Sequence, residues 1–156
     1  MRIISVAILM GALCSHGATA SAQACTASSS PVAFGSYNAF SNTARDTAGS
    51  VTVTCSALIG ILVAYNIKLN GGMGGAIGTR RMRNGVSSLF YQLYTNAGRN
   101  IVWGDGTGGT QTITDGYLLS VGVDVIKTFP VYGRITALQN VTYGAYTDTV
   151  TILLTY

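Results

Sequence analysis

From residue 50 onward the chain alternates. Ser50-Val51-Thr52-Val53-Thr54-Cys55 puts Val51, Val53 and Cys55 on one face and hydroxyl side chains on the other. Residues 64–69 alternate likewise and stop at Asn70-Gly71-Gly72, a strong turn signal. Residues 89–94 place Leu89, Tyr91 and Leu93 on one side, and 100–103 form a short apolar run into Gly104-Asp105-Gly106. Further strands are expected over 117–125, 128–135 and 146–156, where Val150, Ile152, Leu154 and Tyr156 share a face. Apolar residues never recur at helical spacing for long, so at least seven short strands predict an all-β sandwich. No repeat or linker divides it, and one domain is expected.

The first residues read differently. Arg2, an apolar run over 3–13 and small residues ending in Ala20-Ser21-Ala22 have the form of a secretory signal. The run is about half of the roughly 20 residues a membrane-crossing helix needs, so no stable membrane insertion is expected. Cys14 raises lipidation, but Leu13 stands where that processing wants a small residue. The expected division is 1–22 signal peptide and 23–156 a single domain of 134 residues.

Removing that segment takes away His16, the one histidine, and Cys14. What remains has no glutamate, five aspartates and two cysteines, Cys25 and Cys55, which pair most simply with each other in an oxidising compartment. Without a histidine base or a free thiol, enzymatic catalysis is not expected, and no cofactor motif is present. Gly104-Asp105-Gly106-Thr107-Gly108-Gly109 lacks the lysine of a phosphate-binding loop, and Asp105, Asp115, Asp124 and Asp148 lack EF-hand spacing, so no metal is expected. Asn140-Val141-Thr142 matches a glycosylation triplet, read as chance.

Charge is sparse, eight Lys or Arg against five Asp, net +3 over 23–156. Arg80-Arg81-Met82-Arg83 is read as a solvated turn or a contact for an anionic surface, and not as a nucleic-acid site. The aromatic side chains Tyr91, Tyr94 and Trp103 admit two readings, core packing or an exposed adhesive patch. Leu58, Ile59, Ile61, Leu62 and Val63 are likewise either an exposed apolar loop or the start of a buried strand.

Taken in order, several segments resemble the spore coat protein U domain family, the pilin-type subunits of archaic chaperone–usher pili. They are Ala24-Cys25-Thr26, Val32-Ala33-Phe34-Gly35-Ser36-Tyr37, Gly49-Ser50-Val51-Thr52-Val53-Thr54-Cys55, Arg81-Met82 and Leu89-Phe90-Tyr91-Gln92-Leu93-Tyr94. The series continues with Val102-Trp103-Gly104-Asp105-Gly106-Thr107, Val131-Tyr132-Gly133-Arg134-Ile135 and Gly144-Ala145-Tyr146-Thr147-Asp148-Thr149-Val150. The resemblance implies an incomplete immunoglobulin-like sandwich, completed by a donor strand from another chain. The implied partners are a periplasmic chaperone, an outer-membrane usher and neighbouring pilus subunits. It also implies export through the periplasm to a cell-surface fibre or coat, a role in adhesion or biofilm, and pairing of Cys25 with Cys55. The donor-strand groove is then assigned to Val32, Phe34, Val150, Ile152, Leu154 and Tyr156.

One departure stands out. Only Gln23 and Ala24 separate the expected cleavage point from Cys25, and Thr19-Ala20-Ser21-Ala22 offers no large apolar side chain. The expectation is a subunit that receives a strand but donates none, at the tip of a fibre or as a cap, and not a repeating rod element. The alternative is a secreted coat or matrix protein outside any pilus.

Overall fold

The structure is a computed structural model and describes residues 23–74 and 76–156; the signal segment and Cys14 lie outside the described residues. Eight strands are present among them: β1 (Gln23–Ser30), β2 (Arg45–Ala57), β3 (Ile61–Leu69), β4 (Arg81–Asn84), β5 (Ser87–Tyr94), β6 (Ile113–Leu119), β7 (Val125–Ile135) and β8 (Ile152–Thr155). They form a five-stranded sheet in the order β1-β2-β7-β5-β4 and a three-stranded sheet in the order β6-β3-β8, with every ladder antiparallel. The alternating faces of β2, β3 and β5 close the core between the sheets: Val51, Val53 and Cys55, then Tyr65, Ile67 and Leu69, then Leu89, Tyr91 and Leu93 are all buried. This is the all-β sandwich that the period-two pattern calls for.

The strands missed by that pattern are the ones with little to bury. Among the β1 side chains described, Cys25 alone is buried. Its ladder with β2 and the disulfide hold it in place, with Cys25 directly opposite Cys55 at a Cα separation of 4.1 Å. β4 is a four-residue edge strand, half-buried throughout.

The strand expected over 117–125 is corrected: β6 ends at Leu119 and the chain turns before β7 begins at Val125. Val121 and Val123 imitate strand alternation, yet they sit exposed in a turn held by Gly122 at φ +67° and by Gly122 N donating to the Ala57 carbonyl at 3.2 Å. Residues 100–103 make isolated bridges only, Tyr94 to Val102 and Trp103 to Gln111.

Arg80 corrects the reading of the basic cluster as solvated. Its side chain is fully buried, with Nε and Nη2 donating to the Asn70 carbonyl at 3.0 and 2.8 Å, Nη2 also to the Trp103 carbonyl at 2.8 Å and Nη1 to Gln92 Oε1 at 2.6 Å. One guanidinium therefore joins the end of β3 in one sheet to β5 in the other. Burial pushes its pKa down to about 10, which leaves it charged at neutral pH. Trp103, also fully buried, donates Nε1–H to the Ile67 carbonyl at 3.0 Å.

On the surface, Asp46 accepts a two-pronged contact from Arg134, Nε at 2.7 Å and Nη2 at 2.8 Å, with Arg99 Nη1 at 3.3 Å. The Arg134 hydrogen bond holds the Asp46 carboxyl below the usual range. Its stabilisation is therefore present above the unfolded-state value near 4 and lost as pH falls through the lower folded value. Both Asp46 and Arg134 side chains are about one-third exposed, so Asp46→Asn should cost about 0.2–1 kcal/mol at pH 7. Urea titrations of both proteins at pH 7 and pH 3 should show that gap narrowing at the lower pH.

Candidate functional site

Two extended segments that belong to no ladder face each other across the sandwich. The first follows β1. Pro31 has no amide hydrogen to continue the ladder, and the chain crosses β2 and β7 at two glycines. A Cβ on Gly49 would lie 2.9 Å from the Pro31 carbonyl oxygen, and one on Gly133 would lie 2.6 Å from Val32 Cγ1 and 2.8 Å from Phe34 Cζ. Only glycine at these positions lets Val32 and Phe34 turn inward. Thr47 Oγ1 donates to the Ala33 carbonyl at 2.9 Å and Arg45 Nε to the Phe34 carbonyl at 2.8 Å, which fixes the segment from its outer side.

The second segment precedes β8. Thr147 exchanges both backbone hydrogen bonds with Arg83, and Asn70 N donates to the Thr151 carbonyl at 3.1 Å. Asp148 is its clasp, accepting from Tyr91 Oη at 2.6 Å, Met73 N at 2.7 Å and Thr149 N at 2.8 Å. Burial, reinforced by the bond to Asp148, pushes the Tyr91 phenol above its ordinary range. Gly72, at φ +67°, leaves room for the carboxylate where any Cβ would collide with it.

Between these segments runs an apolar groove of two chambers that share Val32, Met82 and Tyr146 in their linings. The larger, about 790 Å³, is lined by Val32, Phe34, Tyr37, Val141, Tyr143 and Tyr146 among others. The smaller, about 420 Å³, is lined by Val32, Val51, Leu93, Val131, Val150 and Ile152 among others. From Tyr146 to Leu154 burial alternates residue by residue, but the inward side chains Tyr146, Asp148, Val150, Ile152 and Leu154 are only half-buried. The core side chains of β2, β3 and β5, from Val51 to Cys55, Val63 to Leu69 and Leu89 to Leu93 on the inward face, are 8% exposed or less. Among the described residues β8 is hydrogen-bonded on one side only, to β3. The last extended segment thus has strand periodicity, one partner, and an incompletely covered inner face.

The expected groove residues divide. Val32 lines both chambers, Phe34 the larger, and Val150 and Ile152 the smaller. Leu154 packs half-buried against the core and Tyr156 is 52% exposed; neither lines a chamber. The adhesive patch of Tyr91, Tyr94 and Trp103 is corrected. Trp103 is wholly in the core and Tyr91 is buried in the groove floor, because the inward face of β5 and the Trp103 indole both meet the opposite sheet; Tyr94, on the other face of β5, is half-buried.

An exposed apolar end lies elsewhere: Leu58, Ile59, Leu62, Leu118, Val121 and Val123 are all more than half exposed. Leu62 and Leu118 are directly paired, and the Gly122–Ala57 hydrogen bond joins the two turns. Val63, by contrast, is fully buried, so the 58–63 run supplies both an exposed turn and the start of a core strand. The sequence pattern missed Tyr37, Val141, Tyr143 and Tyr146; aromatic residues recurring in stretches too irregular for a strand were the available signal. Among the described residues no cluster of three or more His, Cys, Asp or Glu could hold a metal, and no helix is long and apolar enough to cross a membrane.

Comparison with known proteins agrees with this architecture. A curated relative, Protein U of Myxococcus xanthus, is 37% identical over 112 residues, 69% of this chain and 59% of the relative's length. A similar fold, TM-score 0.58 at 19% identity, occurs in the crystal structure of the CsuC–CsuE chaperone–tip adhesion subunit pre-assembly complex from archaic chaperone–usher Csu pili of Acinetobacter baumannii; the match covers 86% of this chain and 40% of that one. The sandwich is thus of the immunoglobulin-like kind found in chaperone–usher subunits. The model of the Spore Coat Protein U domain matches residues 12–153, and the chain belongs to that family.

Proposed function

We propose that this protein is a structural or adhesive subunit of an extracellular fibre, not an enzyme, and that its sandwich is completed by a strand from another chain. The observation that carries the reading is the half-covered inner face of residues 146–154 beside the unpaired edge of β8. An open edge of this kind pairs with an added strand, whose backbone supplies hydrogen bonds and whose alternate side chains fill the groove. The partners that fit are a periplasmic chaperone that lends the strand first, an outer-membrane usher and a neighbouring subunit; the complex of the structural neighbour supports this. Export by a cleaved signal over 1–22 belongs to the same reading, and 23–156 is the functional domain.

The test is co-expression with the chaperone. Val150→Asp/Ile152→Asp places two carboxylates on the groove wall and should abolish chaperone co-purification, a loss of at least tenfold. A lone chain that is monomeric, with the Asp148 and Val150 amides, which face the open edge, protected from hydrogen exchange without any partner, overturns the proposal.

A tip position is the finer part of the proposal. Residues 20–24, Ala-Ser-Ala-Gln-Ala, hold no large apolar side chain with which to fill another subunit's groove. The exposed apolar end supports an adhesive role, since segments 57–63 and 118–124 carry one ionisable side chain, Asp124. Leu58→Ser/Leu62→Ser/Leu118→Ser should reduce retention on a hydrophobic solid surface several-fold. Each change should move stability by about 0.5 kcal/mol or less, as exposed sites do. Unchanged retention with unchanged stability removes the adhesive reading. Polymerisation of the chaperone-held protein through its own N-terminus removes the tip position. A coat protein outside any pilus is the remaining reading, favoured if no chaperone and usher are encoded nearby.

A further inference from the structure

The two chambers differ in more than volume. Along the wall formed by residues 141–152, the larger chamber accompanies 141–146 and the smaller 146–152, and they meet at Val32, Met82 and Tyr146. The larger is aromatic, with Phe34, Tyr37, Tyr143 and Tyr146 in its lining. Tyr143 is fully exposed at its mouth, a ring available for stacking. The smaller is walled mainly by aliphatic side chains, Val51, Leu69, Leu93, Val131, Val150 and Ile152, with Tyr91, Asp148 and the shared Tyr146 beside them. Among the described residues lining either chamber, Asp148 is the single Asp, Glu, Lys or Arg.

We infer that the groove is graded, and that it selects its donor strand by where that strand carries its aromatic side chains. This rests on the strand-acceptor reading above and sharpens it to the identity of the partner. An extended strand advances about 3.3 Å per residue and turns every second side chain to the same face. A donor lying along 141–152 therefore offers successive inward side chains first to one chamber and then to the other. Aromatic rings fill the roomy end and find edge or face partners there; near Ile152 the smaller, largely aliphatic end is matched by Val, Ile or Leu. Charge completes the description. Among the described lining residues the one fixed charge is negative and already accepts three hydrogen bonds, so a donor carboxylate beside Asp148 meets repulsion without a compensating cation. The occupant is thus an extended segment of another chain, free of acidic residues over the groove, with its aromatics clustered toward one end. Such a groove discriminates by the misplaced group as much as by the fitting one.

The test uses labelled synthetic peptides and the purified chain, read by fluorescence anisotropy. Three uncharged twelve-residue peptides share one composition, alternating apolar residues with Ser or Thr: aromatics at the N-terminal end, aromatics at the C-terminal end, and aromatics interleaved with Val and Ile. One of the two clustered peptides should bind at least tenfold more tightly than the other two. Placing Glu at its residue opposite Asp148 should weaken it tenfold or more. Ala39→Trp, which reduces the larger chamber, should erase the preference while retaining binding of an all-Val peptide. Equal affinity for all three arrangements overturns the grading but leaves the groove as a strand acceptor. Failure of every peptide, the all-Val one included, overturns the strand-acceptor reading and the grading with it.

Discussion

Arg80→Ala should destabilise the domain by about 3–5 kcal/mol, measured by urea unfolding at pH 7. The side chain is fully buried and reaches the Asn70 and Trp103 carbonyls and Gln92 Oε1. Removing it strands several acceptors in the interior, each costing about 1–3 kcal/mol when left without a donor, and opens a void between the sheets. The contributions do not simply add, because freed carbonyls relax toward whatever water enters. Arg80→Lys should recover only part of the loss: an ammonium keeps the charge, but it cannot span the same acceptors as a planar fork. Against a typical total of about 5–15 kcal/mol the alanine variant is close to the limit of folding. A loss under 1 kcal/mol would mean that the two sheets hold this end together without the guanidinium.

The second large effect is expected from the disulfide. Cys25→Ala/Cys55→Ala should lower stability by roughly 3–4 kcal/mol, the chain-entropy value for a loop of this length; the two cysteines are 30 residues apart. The loss should also be localised. β1 contributes little burial apart from Cys25, so without the bond it is held to β2 chiefly by its ladder. Hydrogen exchange in 24–32 should accelerate more than in β3 or β7, and affinity for a donor peptide should drop, because Ser29, Ser30, Pro31 and Val32 line the smaller chamber. Matching melting temperatures for the double variant and the oxidised protein would show that the ladder alone secures β1.

What could be read from the sequence follows from which residues have a face to bury. β2, β3, β5 and the second half of β7 lie between two environments, and their alternation records it. β1 is an edge strand of Ser, Ala and Thr around one cysteine, so no hydrophobic period marks it. β6 was expected too late because Val121 and Val123 alternate around Gly122 in a turn, and periodicity cannot tell a two-residue strand pattern from two exposed valines. Arg80 was unreadable for a different reason: three arginines in a row of four look solvated, and only the tertiary arrangement of carbonyls gives one of them an interior site. Of the groove, Val150 and Ile152 were legible from the alternation of the last segment. Its other wall was legible at Val32 and Phe34 through the family resemblance, but its aromatic chamber draws on irregular segments 35–39 and 141–146, which carry no period at all.

The position of the disulfide also decides how the domain carries load. Cys25 is the third residue of β1 and is bonded to Cys55, two residues from the end of β2. Tension applied through the backbone ahead of Cys25 passes across the sulfur bridge into β2, whose ladder with β7 spans eleven residue pairs. The β1 ladder beyond the bridge is bypassed, and the strand cannot be unzipped from that end one hydrogen bond at a time. That load falls on the long central pairing in place of an edge ladder.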